Sequence, residues 1–571
     1  NDKKKLETLL VRATVTAGFS LRWVQNKEVR ELFEFLNPTL KLPGRQTLGG
    51  RILNKEVKRL EDNMVIKLKN NSVGPMLAFD GWTNIINQNI IGAVFITPEG
   101  EVLVWKGMDI SGEREMWREV IEKIELMFSE IIQMGVKLIA VICDSASSYA
   151  TARRRLRLKY IDISFLPCYA HQMNLFVGEI FKESIEFRQT AANAIKVAVY
   201  FHSVQHKYFI DKLRDLQNEF YKKYISLATL TSKFDPLEPL NDDSLYLPEN
   251  ITSILLDENK ARLHEVLHGF GYFVEFWKRY EDLEFGQQIL NRLESRWREW
   301  EQPLLLLSWL LYPNYQMKKF KSNVANLNHV YLSKWLIYYY EAWSHNKSRS
   351  ILREYENFRR GAFPFDNQSI NHFKDGVFEF WSWATPTAKE LAFVVQRIFG
   401  ICINAALVER LCSCMGFLHM NRRCRLHYKK ALNMSKLRAS ITYQHQLDDK
   451  ELCNSEEESK GELSSDIEEL SSDIEEQPSN KKDREELKGL KDDEDLDEYV
   501  ENFNGFVDEW EELFDQEEKA QKDADADLNY DLEVDINDYL LNQTHPAMEI
   551  EAKWNICEIF INGLDAPFNI K

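Results

Sequence analysis

Long apolar runs, cysteine and positive charge are all scarce in this chain. The longest apolar run, near Leu304–Leu311, is bounded by Pro303 and Pro313. It is too short to cross a bilayer and reads as a buried helix, so no membrane association is expected. The eight cysteines among 571 residues never stand in a C-x-x-C arrangement. That argues against a disulfide framework or a zinc finger and fits a reducing compartment, cytosol or nucleus. No leader-like pattern opens the chain, and with Asn as its first residue the natural protein is expected to begin earlier. Lys and Arg number 72 against 90 Asp and Glu, a net charge of −18. The deficit is local. Between Leu447 and His545 stand 37 acidic and 9 basic residues, a net of −28, which leaves the rest of the chain at +10. A mildly basic body with an acidic appendix is compatible with phosphate binding.

A hydrophobic fraction of 44% is enough for sizeable cores, and the length calls for two or three of them. Residues 1–72 are helical in pattern, with an apolar stripe of Leu32, Phe33 and Leu36 stopped by Asn37-Pro38. From Pro75 the period changes. Met76–Phe79, Ile90–Ile96 and Val102–Ile110 read as strands, the last two joined by a turn at Pro98-Glu99-Gly100. Glu115–Met134 is an amphipathic helix, Leu138–Cys143 a strand, and Ser145 offers an N-cap for a helix through Arg157. Ile161–Phe165 is a further strand. This order predicts an α/β unit with a mixed sheet. Residues 185–390 read as almost wholly helical, with a loop at Leu237–Asn250, and Leu391–Leu418 as one long apolar helix. The acidic segment 447–545 repeats Leu-Ser-Ser-Asp-Ile-Glu-Glu at 463–469 and 470–476 and is expected to be disordered. Residues 546–571 regain apolar character without a readable role.

Two apolar strands end in carboxylates: Asp80 and Asp144. On neighbouring strands running the same way they would converge at one sheet edge. Two anions at close range repel unless a cation lies between them, and Mg²⁺ suits carboxylate oxygens with a substrate phosphate. By spacing alone, turn or cap residues are the commoner reading. Glu409 stands inside the apolar stretch Ala405–Cys412, where a charge is costly unless paired or metal-bound. Its neighbour Arg410 is a poor partner, because adjacent helix residues do not face each other, but another arginine would serve.

Leu77-Ala78-Phe79-Asp80-Gly81-Trp82-Thr83-Asn84 resembles the first catalytic block of hAT-superfamily DNA transposases. Cys143–Ser147 followed by Leu166-Pro167-Cys168-Tyr169-Ala170-His171-Gln172-Met173-Asn174-Leu175 resembles the second, more specific block. Ala405–Leu426, with Val-Glu-Arg-Leu-Cys-Ser and then Asn-Arg-Arg-Cys-Arg-Leu, resembles the C-terminal block. The resemblance implies an α/β RNase H-like core, a mixed sheet with flanking helices, in two parts at 73–184 and 391–446. A large all-helical insertion at 185–390 interrupts it, and the last part carries a dimerisation region. It implies Asp80, Asp144 and Glu409 as a metal-binding acidic triad using Mg²⁺ or Mn²⁺ to cleave and join phosphodiester bonds. It also implies Cys168 and His171 as DNA-positioning residues. Transposon ends or derived genomic sites would be the DNA, a homodimer or larger homo-oligomer the assembly, and the nucleus the location. Arg153, Arg154 and Arg155, and Arg422, Arg423 and Arg425, form basic clusters able to meet phosphates, or else solvated helix faces. The acidic segment is expected to compete for the basic groove or to recruit nuclear proteins.

The chain departs from the family in two places. Thr231–Pro236 reads Thr-Ser-Lys-Phe-Asp-Pro, without the tryptophan that in the family stacks on flipped bases, and no BED zinc finger lies within the chain. The departures favour the alternative of a catalytically silent DNA-binding, dimerising regulator, or at least weak hairpin formation. Phe234 and Trp297 are the aromatics considered as substitutes for the missing tryptophan.

Overall fold

The computed structural model describes residues 2–39, 41–84, 87–112, 117–190, 192–193, 262–315, 317–373, 376–403, 406–418, 426–460, 505, 544–561 and 564. Among them a five-stranded mixed sheet runs β3-β2-β1-β4-β5. Its strands are β1 (Met76–Thr83), β2 (Asn89–Ile96), β3 (Val102–Asp109), β4 (Ala140–Cys143) and β5 (Ser164–Pro167). β1, β2 and β3 form an antiparallel meander, while β4 runs parallel to β1 and β5 parallel to β4. The β2–β3 turn closes on Gly100 at φ 87°, a left-handed position that a side chain would strain. This is the mixed sheet expected from the order of apolar runs, in the RNase H-like topology that the resemblance implies.

Alternation along the strands sends side chains to two separate cores. Leu77, Phe79, Val141 and Cys143 face one layer, built by α4 (Trp117–Gln133) and α5 (Ser147–Lys159). Met76, Ala78, Ala140 and Ile142 face the other. That second layer contains α6 (Tyr169–Glu183) and the helical region α7 (Leu263–Lys278), α8 (Leu283–Arg298), α9 (Gln302–Leu310), α10 (His329–Ser344), α11 (Ile351–Arg359), α12 (Asn367–His372) and α13 (Val377–Ala384). Every residue of α9 is buried, with Pro303 at its first turn, as its apolar run requires. Each fully buried leucine there contributes about 1.5–3 kcal/mol. The N-terminal helices α1 (Asp2–Thr16), α2 (Lys27–Leu36) and α3 (Leu53–Asn70) belong to a smaller third layer around a third core. In α2 the expected stripe is only partly used: Phe33 packs inward, but Leu32 and Leu36 are exposed.

The structure departs from the sequence expectations in several places. Leu391–Leu418 is not one helix. α14 (Lys389–Gly400) stops, Ile401–Ile403 extends to form a bridge between Arg262 and Cys402, and α15 (Ala406–Leu418) follows. Arg262 also donates to the Gly400 carbonyl at 3.1 Å, a tertiary capture invisible to helical periodicity. Ser145 does not cap α5, whose N-cap is Ala146 without a side-chain bond; its hydroxyl accepts from Gln172 on α6. The last helix, α16 (Tyr428–Lys460), runs past the expected boundary at 447 into the acidic segment. The rest of that segment, apart from Gly505 and its end at 544–545, lies outside the described residues, as does Leu237–Asn250.

The C-terminal residues, without a readable role in the sequence, dock on the helical region. Trp297 on α8 donates to the Trp554 carbonyl at 2.7 Å, Gln302 accepts the Trp554 N–H at 2.6 Å, and Phe320 bridges Phe560. Gly271 on α7 permits this docking, since a Cβ there would lie 2.3 Å from Leu564 and 2.7 Å from the Phe560 ring. Gly271→Ala should therefore lower stability by about 1 kcal/mol net, a clash of about 1–3 kcal/mol against a helix-propensity gain of about 1. Thermal denaturation checks the sign. A rise in melting temperature would show that the C-terminal residues do not pack on α7.

Candidate active site

The β1–β4 register ends at Ala78 opposite Ile142. Asp80 lies two residues past Ala78 within β1, and Asp144 follows β4 directly, two residues past Ile142. Strand alternation puts Asp80 on the face of Ala78, which turns to the α6 side. The β4–β5 register pairs Cys143 with Pro167, which places Cys168 level with Asp144. Asp80 thus lies within β1 just beyond its pairing with β4, Asp144 and Cys168 follow the ends of β4 and β5, and His171 stands in the first turn of α6. Asp80 Oδ1 accepts the Gly81 N–H at 2.8 Å and Asp144 Oδ1 the Ala146 N–H at 3.2 Å, so each carboxylate is oriented by its own turn.

The chain returns to this edge from far away. Tyr169 donates its N–H to the Ile403 carbonyl at 3.0 Å. α15 starts three residues later and packs on β1 and β2 through Val408, Leu411 and Met415. Glu409 stands beside Val408 on that helix; its side chain lies outside the described residues, as do Arg422, Arg423 and Arg425. Trp82, two residues beyond Asp80, packs at the same face. Its ring crosses Gly92, the strand residue opposite Asp80, so closely that a Cβ there would meet it at 2.5 Å. Sequence reasoning gave Trp82 no role; its place beside an aspartate on an apolar strand was the available signal.

The first basic cluster is placed differently from the expectation of a DNA-facing patch. Arg153 is 1% exposed. One guanidinium nitrogen donates to the Asp144 carbonyl at 2.8 Å and another to Glu299 at 3.1 Å. Arg154 reaches Glu299 at 3.4 Å, and Arg157 donates to the Phe165 carbonyl at 2.8 Å. Arg155 lies over the Trp117 ring at 3.9 Å. Burial alone would push Glu299 up, but Arg153, Arg154 and Arg157 outweigh it and hold the carboxyl below its ordinary value. Arg153 is withdrawn from any phosphate path by its burial, and the cluster ties the Asp144 turn to the end of α8. Cys143, buried beneath the site, is pushed up to about 11 by burial, opposed by Arg153 and reinforced by Asp144 and Asp80. Its thiol is therefore not a nucleophile at neutral pH.

Cys168 directly follows β5, and its side chain is buried at 1% exposure. Trp297, considered as a base-stacking substitute, is fully buried in the helical core and fills that role nowhere. Phe234 lies outside the described residues. Among the described residues no three metal-binding side chains cluster. Asp80 and Asp144 supply two hard oxygen donors, a set that fits a divalent ion such as Mg²⁺ and would need a third ligand from α15 or a substrate.

Residues 43–199 match the model of a family described as a domain of unknown function, DUF659. The match covers Asp80, Asp144, Cys168 and His171. DUF659 domains are found in hAT-type transposase-like proteins. No curated protein matches the chain.

Proposed function

We propose that the chain is a hAT-type DNA transposase or a host protein derived from one, which cleaves and joins phosphodiester bonds at the carboxyl edge of β1 and β4. The observation that supports the reading most is that Asp80 in β1 and Asp144 directly after β4 each stand two residues past the paired Ala78 and Ile142 of adjacent parallel strands. α15 is the element that would deliver Glu409 as the third carboxylate, since it starts beside Tyr169 and lies over β1 and β2. Mg²⁺ or Mn²⁺ held by these carboxylates would lower the pKa of an attacking water or 3′-hydroxyl and stabilise the leaving oxygen. The protein's own part is to fix the carboxylates. The Gly81 and Ala146 N–H groups orient them, and Arg153 holds the Asp144 carbonyl from below. DNA would approach over the face bearing Trp82 and His171, in the nucleus and as a homodimer or larger homo-oligomer.

The buried Trp297, which cannot stack on a base, favours a second reading, a DNA-binding regulator without cleavage activity. Incubation of the purified chain with supercoiled plasmid and Mg²⁺ or Mn²⁺ separates the two. Nicked circles that disappear with EDTA support the nuclease; a retarded but intact plasmid supports the regulator.

A further inference from the structure

A cavity of about 560 Å³ opens at the seam between the sheet layer and the helical layer, away from Asp80 and Asp144. Ile131 of α4 and Tyr160, just past α5, form one wall; Tyr340 and Trp343 of α10 and Phe393 and Arg397 of α14 form the other. Cavities of roughly 300–1,000 Å³ with apolar walls and a few polar groups are the usual size and make-up of small-molecule sites.

Arg397 is the unusual member. Its guanidinium lies 4.7 Å from the Phe393 ring centre and 5.8 Å from that of Trp343. Its Nε is buried without a hydrogen-bond partner. Burial pushes it down to about 10, with Asp162 opposing the shift. Asp162 itself is in ion-pair range of His345, at 3.9 Å. The other carboxylate of the lining, Glu390, is engaged elsewhere. It accepts the Ser348 hydroxyl at 2.9 Å and the N–H groups of Arg349, Ser350 and Ile351 at 2.9–3.0 Å. A half-buried cation flanked by rings, its Nε buried and no carboxylate in ion-pair range among the described residues, is favoured by an anion that reaches it. Counting Lys, Arg, Asp and Glu, the lining carries Lys137, Lys389 and Arg397 against Asp162 and Glu390, one net positive charge.

We propose that this cavity binds an organic monoanion, a carboxylate carried on a flat apolar body. The carboxylate meets the edge of Arg397, whose planar donors suit two parallel hydrogen bonds. The body lies against Tyr340, Trp343 and Phe393. One net charge suits a carboxylate better than a doubly charged phosphate, and the aromatic walls give a bare inorganic anion nothing to hold. Because the two walls belong to different layers, occupancy would also clamp the sheet to the helical region.

Calorimetric titration of the full chain with 1-naphthoate tests this. One site per chain is expected, with Kd on the order of 0.1 mM for a ligand of this size. The neutral 1-naphthamide should bind at least tenfold more weakly, and inorganic phosphate should give no measurable heat at the same concentration. Arg397→Gln should weaken naphthoate at least tenfold and leave naphthoate and naphthamide alike; Lys389→Ala, at the exposed mouth, should weaken it about two- to threefold. If Arg397→Gln does not fold by circular dichroism, the naphthoate–naphthamide ratio on the unaltered chain decides. Absence of naphthoate binding, equal binding of the amide, phosphate binding as strong as naphthoate, or naphthoate binding unchanged in a folded Arg397→Gln would each overturn the proposal.

Discussion

Asp144→Asn and Asp80→Asn are each expected to reduce metal-dependent DNA nicking by about a thousandfold or more. Each removes one carboxylate charge and one oxygen donor from a shared ion. Electrostatic stabilisation of several kcal/mol at the transition state converts to that factor, since each ~1.4 kcal/mol is tenfold. DNA binding should change far less, because phosphate contacts are spread over many Lys and Arg residues. The double variant should be no worse than either single one, as the two carboxylates work as a unit. Plasmid nicking rates beside a gel-shift titration check all three statements. Independent, multiplicative losses would mean that the two aspartates do not share an ion.

Glu299→Gln is expected to destabilise the fold by about 3–5 kcal/mol at pH 7, because it leaves the buried Arg153 without its counter-charge. Loss of one member of a buried pair costs more than the pair itself contributes. The pH dependence has a definite sign. Glu299 is held below its ordinary carboxylate value, so its contribution is complete above the unfolded value of about 4.3 and is lost as pH falls through the lower folded value. The stability gap between the natural chain and Glu299→Gln should therefore be widest near neutrality and close in acid. Denaturant unfolding at pH 7 and pH 4 measures it. A gap that widened on acidification would contradict the assignment. Because Arg153 also holds the Asp144 carbonyl, Arg153→Met should slow nicking as well as destabilise, and Glu299→Gln should slow it less.

Much of the sheet was legible because its signals are local. Short apolar runs predict the strands, and β4 ends before Asp144 as expected, but β1 runs past Asp80-Gly81 to Thr83 because it stays paired with β2. The three-residue difference between the expected and observed starts of β5 reflects only where pairing to β4 begins. The basic cluster was not legible. Arg-Arg-Arg-x-Arg on a helix looks like a solvated face, and its burial is set by Glu299, 146 residues away. The break at Ile401–Ile403 likewise depends on capture by Arg262, 138 residues earlier. The C-terminal residues have no periodicity of their own; Trp554 finds its place through Trp297 and Gln302, more than 250 residues back. Local composition carries none of these pairings. Trp82 was quoted only as part of a motif, because its position over Gly92 follows from strand register and not from spacing.

If Asp80 and Asp144 present their carboxylates together to one divalent ion, diffraction from crystals soaked in Mn²⁺, with data at the manganese absorption edge, should show it. An anomalous peak is expected within about 2.2 Å of a carboxylate oxygen of each aspartate, with Glu409 turned toward it from α15. Asp80 and Asp144 on opposite faces of the sheet, or a Mn²⁺-soaked crystal with no peak between them, would contradict this arrangement.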